Sequence, residues 1–252
     1  MLYILIGYLF VFGLILGSFF NVVGLRLPKG QSIIKPRSAC PHCQKQLTVR
    51  ELIPFFSYIF QGGSCRNCGK AISPVYPSVE LATGVLFGAA PLVSSSLEEA
   101  IIYVTLVSLM MVITVSDMAY MIIPDKILLF FGGLFVLERA IYPLTPWWDS
   151  IAGGMIGVGL LLLIAILSRG GMGGGDIKLF GVIGLALGMK AILLSFFFST
   201  VMGVIVGLIG LFIGRVKRGK PMPFGPSIAI GTIVYFIYGQ KILDWYFYNV
   251  IL

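Results

Sequence analysis

Residues 100–117 read AIIYVTLVSLMMVITVSD, an uncharged apolar run closed by Asp117. A membrane-spanning helix needs about 20 mostly apolar residues, within a range of about 17–25, so the run reads as a span with a carboxylate at its edge. A second aspartate occupies an equally unusual place: Asp176 closes the run Gly170-Gly171-Met172-Gly173-Gly174-Gly175. An ionisable group at the edge of a span is costly and marks a functional site by default. Two of them suggest an acid and a base.

The rest of the chain agrees with a membrane setting. Of its 252 residues 58% are hydrophobic and 11% charged, against roughly 25% charged in soluble domains. Eight spans are expected, at 2–20, 75–93, 100–116, 127–142, 151–167, 177–189, 191–214 and 228–246. The second, fourth and sixth are the weakest, because Glu80, Glu138 with Arg139, and Lys178 interrupt or crowd them. If the segment after the first span is cytoplasmic, 15 of the 18 basic residues fall inside and only Arg139, Lys190 and Lys241 fall outside. The positive-inside rule favours this orientation and the even count, with both termini outside. Topology therefore explains the net charge of +8, and no nucleic-acid partner is needed. Met1-Leu2-Tyr3 lacks a basic n-region, so the first run reads as a permanent helix rather than a cleaved signal. The expected fold class is an all-α polytopic membrane protein with a small cytoplasmic insert. Its parts are a first helix over 1–25, an insert over 26–75 and a membrane domain over 76–252. Glycines at small-xxx-small spacing (153/157, 184/188, 203/207 and 210/214) are expected to let helix backbones approach closely.

The insert carries all four cysteines, as Cys40-Pro-His-Cys43 and Cys65-Arg-Asn-Cys68. Paired C-x2-C knuckles bring four thiolates tetrahedrally around zinc, and cytosolic thiols stay reduced. Four cysteines fill the coordination shell, so the zinc is expected to be structural. His42, the only histidine, lies inside the first knuckle and reads as an exposed turn residue.

Other chemistries find little support. One histidine removes most Ser-His and Cys-His schemes. The glycine run places Asp176 where a dinucleotide-binding turn needs glycine, and it follows a span rather than a strand. Gly214 to Lys220 has phosphate-loop spacing, but Pro221 replaces the Ser/Thr that would hold magnesium. The carboxylates remain. Asp117, Asp125 and Asp176 all fall at the inner ends of spans. Two carboxylates sharing a proton activate water against a peptide bond, because close like charges do not both ionise easily. Gly173, Gly174 and Gly175 present backbone without side chains, a surface a substrate strand can approach closely. The plainer alternative is a flexible loop with Asp176 as helix cap.

Several motifs together carry a family resemblance. Asp117 is followed by Ile122-Ile123-Pro124-Asp125, and Gly173–Asp176 forms G-x-G-D. Gly17-Ser18-Phe19-Phe20-Asn21 leads to Arg26-Leu27-Pro28, Tyr76-Pro77-Ser78-Val79-Glu80-Leu81 opens the second span, and Pro223-Phe224-Gly225-Pro226 opens the last. With the cysteine knuckles, this order resembles the type IV prepilin peptidases, membrane aspartyl proteases of the G-x-G-D kind. In style it is nearest the Gram-positive competence-pilus versions. The resemblance implies catalytic carboxylates at Asp117 and Asp176, with Asp125 expected to cap the helix that follows. It implies prepilin or pseudopilin precursors as substrates, cut after a glycine at the cytoplasmic face of the cell membrane. Many relatives also methylate the new N-terminus with S-adenosylmethionine. No donor-binding motif is legible here, so that second activity rests on the resemblance, with Glu51 and Glu80 as candidate contributors.

Asp117 is expected near a helix C-terminus and Asp176 near an N-terminus. The macrodipole differs in sign between these places, so Asp176 is expected to start as base and Asp117 as acid. The competing readings are an ion-coupled transporter with a carboxylate relay and a noncatalytic assembly protein docking through its knuckles. The first should show paired repeats, and none is visible.

Overall fold

A computed structural model describes residues 1–169, 171–214, 222–246 and 248–249. Gly170 and the basic stretch 215–220, which holds four of the expected cytoplasmic cations, lie outside the described residues. Each expected span is met by a helix: α1 (Leu2–Arg26), α3 (Val75–Val93), α4 (Leu97–Tyr120), α5 (Asp125–Ile141), α6 (Asp149–Leu167), α7 (Gly174–Leu187), α8 (Met189–Phe212) and α9 (Gly225–Tyr246). A short helix, α2 (Phe56–Phe60), lies in the insert. Among the described residues α1, α3, α4, α6 and α8 are long and apolar enough to cross a membrane. The chain is thus a multi-pass membrane protein. At 1.5 Å per residue the 14 residues of α7 reach only about 21 Å, against a hydrocarbon core of about 30 Å.

The chain divides into two compact units, Met1–Ser95 and Ser96–Leu252. In the first, α1 packs along α3. The contact is close because it uses glycine: a Cβ on Gly13 would lie 2.7 Å from the Thr83 carbonyl oxygen, and one on Gly17 2.8 Å from the Glu80 Cα. The insert between these helices is built from two matching knuckles. The Cys40 amide donates to the Lys45 carbonyl and the Cys65 amide to the Lys70 carbonyl; the Gln44 and Gly69 amides return to the Cys40 and Cys65 carbonyls. Isolated bridges pair Ala39 with Gln46 and Ser64 with Ala71. Gln44 (φ 58) and Gly69 (φ 67) occupy the same left-handed position after the second cysteine of each knuckle.

In the second unit α4 is the buried element, with Tyr103, Leu106, Val107, Leu109, Met110 and Ile113 fully enclosed. Ser96 caps it, accepting from the Glu99 amide at 3.2 Å, as an oxygen-bearing cap should. At its far end Met121 turns left-handed (φ 54) and its amide closes on the Asp117 carbonyl, after which Pro124 starts α5. α6 and α7 meet through glycine, as the spacing predicted: a Cβ on Gly157 would stand 2.5 Å from the Phe180 carbonyl oxygen, and Gly184 abuts the Gly153 backbone directly. α8 and α9 meet at Gly231, where a Cβ would overlap Ser199.

The charges that weaken the fourth expected span are bonded. Arg139 donates from Nε to the Ala186 carbonyl at 2.7 Å, placing a cation at the C-terminus of α7, where the macrodipole favours one. Glu138 accepts from the Thr105 hydroxyl at 2.6 Å. Both residues are only half-buried, and these bonds offset part of the cost of desolvating their charges; the other carboxylate oxygen, Glu138 Oε2, is buried without a hydrogen-bond partner among the described residues.

Candidate active site and metal centre

Asp117 lies one turn before the end of α4 and is 6% exposed. Its carboxylate Oδ2 accepts a 2.6 Å hydrogen bond from the Gly225 amide, the first residue of α9. Gly225 is required by this contact: a Cβ there would stand 2.9 Å from both the Cβ and the Oδ2 of Asp117. Asp176, half-buried, is the third residue of α7, and its carboxylate lies over Gly173. The two aspartates are near enough for the charge of Asp117 to act on Asp176. The structure therefore brings together two side chains far apart in sequence.

The placements behind the expected unequal roles hold: Asp117 lies in the last turn of α4 and Asp176 in the first turn of α7. What that argument left out is α9, whose first amide, at a positive helix end, also reaches Asp117. The plainer alternative, Asp176 as helix cap, is not met: Gly173 holds that position, extended at φ −69 and ψ 139. Lastly, Gly173–Gly175 is not a free loop, since Gly174 and Gly175 already belong to the first turn of α7. A Cβ on Gly175 would lie 2.8 Å from the Ile123 Cβ, whereas Gly174 has open space beside it. Of the three, Gly173 and Gly174 are exposed, and Gly174 has open space where a side chain would stand.

Asp125 stands apart. Pro124 is the cap of α5 and Asp125 its first residue, so the expected capping role is not the one it plays. Instead its carboxylate takes Lys178 Nζ at 2.8 and 2.9 Å, in an ion pair whose members are 61% and 58% exposed. Sequence reading missed this pair and the Gly225 amide. The Gly-Pro at 225–226 does signal a helix start and hence free amides, but not which carboxylate reaches them.

In the other unit the four cysteine sulfurs lie within 4.8 Å of one another. Cys40 and Cys68 are 3.9 Å apart and Cys43 and Cys65 4.0 Å apart. Four sulfurs at about 2.3 Å from a tetrahedral centre are about 3.8 Å from each other, so the cluster fits a metal ion such as zinc with little adjustment. The surroundings favour the thiolate at Cys43 and Cys65, while at Cys68 the Lys70 amide is outweighed by burial and the neighbouring sulfurs, which push it up to about 11. The Lys45 amide, then the Asn67 side chain, pull Cys43 down to about 6. The Cys68 and Asn67 amides lower Cys65. Asn67 Nδ2 lies 3.6 Å from Cys43 Sγ, an outer-sphere donor that fixes the ligand. His42 is not among the clustered ligands.

Comparison with known proteins agrees with this division. The bacterial peptidase A24 N-terminal domain matches residues 11–93, and the type IV leader peptidase family matches residues 104–208. A prepilin leader peptidase/N-methyltransferase of Bacillus subtilis (strain 168) is 43% identical over 245 residues, covering 96% of this chain and 98% of its own. Proteins of the same description from Aeromonas hydrophila and Pectobacterium carotovorum subsp. carotovorum are 30% and 33% identical, over 95% and 90% of this chain and 93% and 91% of theirs. No solved structure matches.

Proposed function

The chain belongs to the type IV leader peptidase family, and on that premise we propose that it cleaves the leader from prepilin-like precursors with Asp117 and Asp176 as the catalytic pair. The observation that supports this most is the convergence of α4, α7 and α9 on the two carboxylates, one of them fixed by the Gly225 amide. One carboxylate takes a proton from water as the oxygen attacks the peptide carbonyl carbon. The other donates a proton to the carbonyl oxygen, and the tetrahedral adduct collapses as the leaving nitrogen is protonated. The pair titrates as a unit, so the two roles belong to its shared protonation states. The substrate backbone approaches over Gly174, where no side chain intervenes.

The knuckles of residues 26–75 hold zinc. Four thiolates close the shell, so the ion is structural and its contribution is to the fold of the insert. The excess of basic residues in the insert and the inner loops supports a cytoplasmic position for the insert and both aspartates. The second activity in the relatives' description, N-methylation of the freed N-terminus, belongs to this chain as well. The purified protein, incubated with a prepilin, is expected to release the leader. Loss of that release in both Asp117→Asn and Asp176→Asn supports the assignment, and retention in either defeats it.

A further inference from the structure

Over residues 49–60 the insert turns its polarity inside out. Ser57, Tyr58 and Gln61 face inward, onto a cavity between α1, α3 and the insert that the buried Asn21 and Glu80 also line. Val49, Ile53, Phe56, Ile59 and Phe60 face outward, with Val49 and Phe60 each 77% exposed. Soluble surfaces carry single apolar residues freely, but a cluster of them marks a protein or membrane contact.

Depth decides between the two. α3 has 19 residues, which at 1.5 Å each reach about 28 Å, so nearly all of it is needed to cross a hydrocarbon core of about 30 Å. Glu80, five residues past the start of α3, therefore stands about 7.5 Å inside that core's edge. Its carboxylate accepts the Phe55 amide at 2.7 Å, which ties the segment to the same depth. Interfacial helices bury their apolar face about 5–10 Å into the boundary between headgroups and acyl chains. The backbone is prepared for that setting, where polar groups must be satisfied within the protein. Phe55, at φ 62 and ψ −53, forms the strained kind of γ-turn. The Phe56 amide returns to the Pro54 carbonyl and the Ser57 amide to the Ile53 carbonyl. With the Phe55 amide on Glu80, all three amides of the turn are paired.

Charge names the occupant. Residues 26–74 hold eight basic residues and one acidic residue, Glu51, whose carboxylate is taken by the Thr48 amide and hydroxyl. Such a surface attracts anionic headgroups and repels a cationic peptide. We propose that residues 49–60 are an interfacial anchor that lays the insert on an anionic bilayer surface. Phe56, Ile59 and Phe60 enter the acyl boundary, and the basic residues of the insert lie among the headgroups.

The test places a trifluoromethyl-phenylalanine at Phe60 of the full chain, in nanodiscs of equal parts phosphatidylcholine and phosphatidylglycerol, and follows its fluorine resonance. The same label at Gln46, exposed on the first knuckle, gives the response of a water-facing site. Doxyl-labelled lipid is expected to broaden the Phe60 signal away, and a water-soluble gadolinium chelate to leave it intact. Phe56→Asp combined with Ile59→Asp keeps the Glu80 contact, which uses the Phe55 backbone, and should open the label to the chelate. Loss of the wild-type signal to the chelate, with no response to doxyl lipid, would overturn the proposal; shielding by added prepilin would then assign the face to a protein partner. A signal indifferent to both reagents would overturn it as well, since protein would then cover the face. So would continued lipid contact in the double variant, because the apolar side chains would then not be what holds the segment down.

Discussion

Replacing Gly225 by alanine tests how the Asp117 carboxylate is held. The new Cβ would stand 2.9 Å from Asp117 Cβ and Oδ2 and 3.2 Å from Cγ, where ordinary contact begins at 3.4 Å. The carboxylate or the start of α9 must therefore shift by about 0.5 Å. A displacement of about 1 Å in a reacting group costs about 100-fold in rate, so half of that should cost about 10-fold, rising toward 100-fold if the 2.6 Å bond from the Gly225 amide breaks as well. In energy this is about 1.4–2.7 kcal/mol of transition-state stabilisation. The loss should fall on kcat, with KM for prepilin near wild type, since the substitution touches the catalytic group and not the open surface at Gly174. Leader release is followed under single-turnover conditions, with thermal unfolding in parallel. A crowded core position costs about 1–3 kcal/mol, so a moderate fall in Tm is expected and full unfolding is not. Gly225→Ala with a wild-type rate would refute the idea that this contact positions Asp117.

Three further outcomes follow from other contacts. Asn67→Ala removes the donor beside Cys43 and should lower zinc affinity by about 10–100-fold, as loss of an outer-sphere partner does; competition with a chelator reads this directly. Gly184→Ala drives a methyl group into the Gly153 backbone and should destabilise the α6–α7 contact by about 1–3 kcal/mol, seen as a lower Tm in detergent. Leader release against pH should be bell-shaped, because the chemistry needs one proton on the aspartate pair, and a flat profile would contradict a shared proton.

Much of this was legible before the structure. The apolar runs place all eight long helices, because lipid forces backbone polar groups to be satisfied within each segment. The knuckles announce a metal centre because ligand geometry is set within each C-x2-C turn. Glycine spacing announced close helix approach, and the structure shows that Gly153 and Gly157 meet α7. What sequence did not reveal depends on tertiary convergence. The Gly225 amide and Asp117 are 108 residues apart, and no local rule links a helix start to a carboxylate that distant. For the same reason the dipole argument was incomplete: it considered only the helix each aspartate belongs to, and the first amide of a third helix, α9, also reaches Asp117. Asp125 was set aside from the pair on motif position and expected to cap α5; in the structure it is instead paired with Lys178, while Pro124 holds the cap position. Asn21 and Glu80 lie in motifs noted from the sequence, yet their burial around one cavity appears only when α1, α3 and the insert are folded together.

The most direct measurement is leader release from a prepilin by Asp117→Asn, Asp176→Asn and Asp125→Asn side by side. The account predicts that the first two are inactive. Asp125→Asn, which loses only an exposed ion pair worth about 0.2–1 kcal/mol, should work near the wild-type rate. Cleavage by either of the first two, or its loss in the third alone, would contradict it.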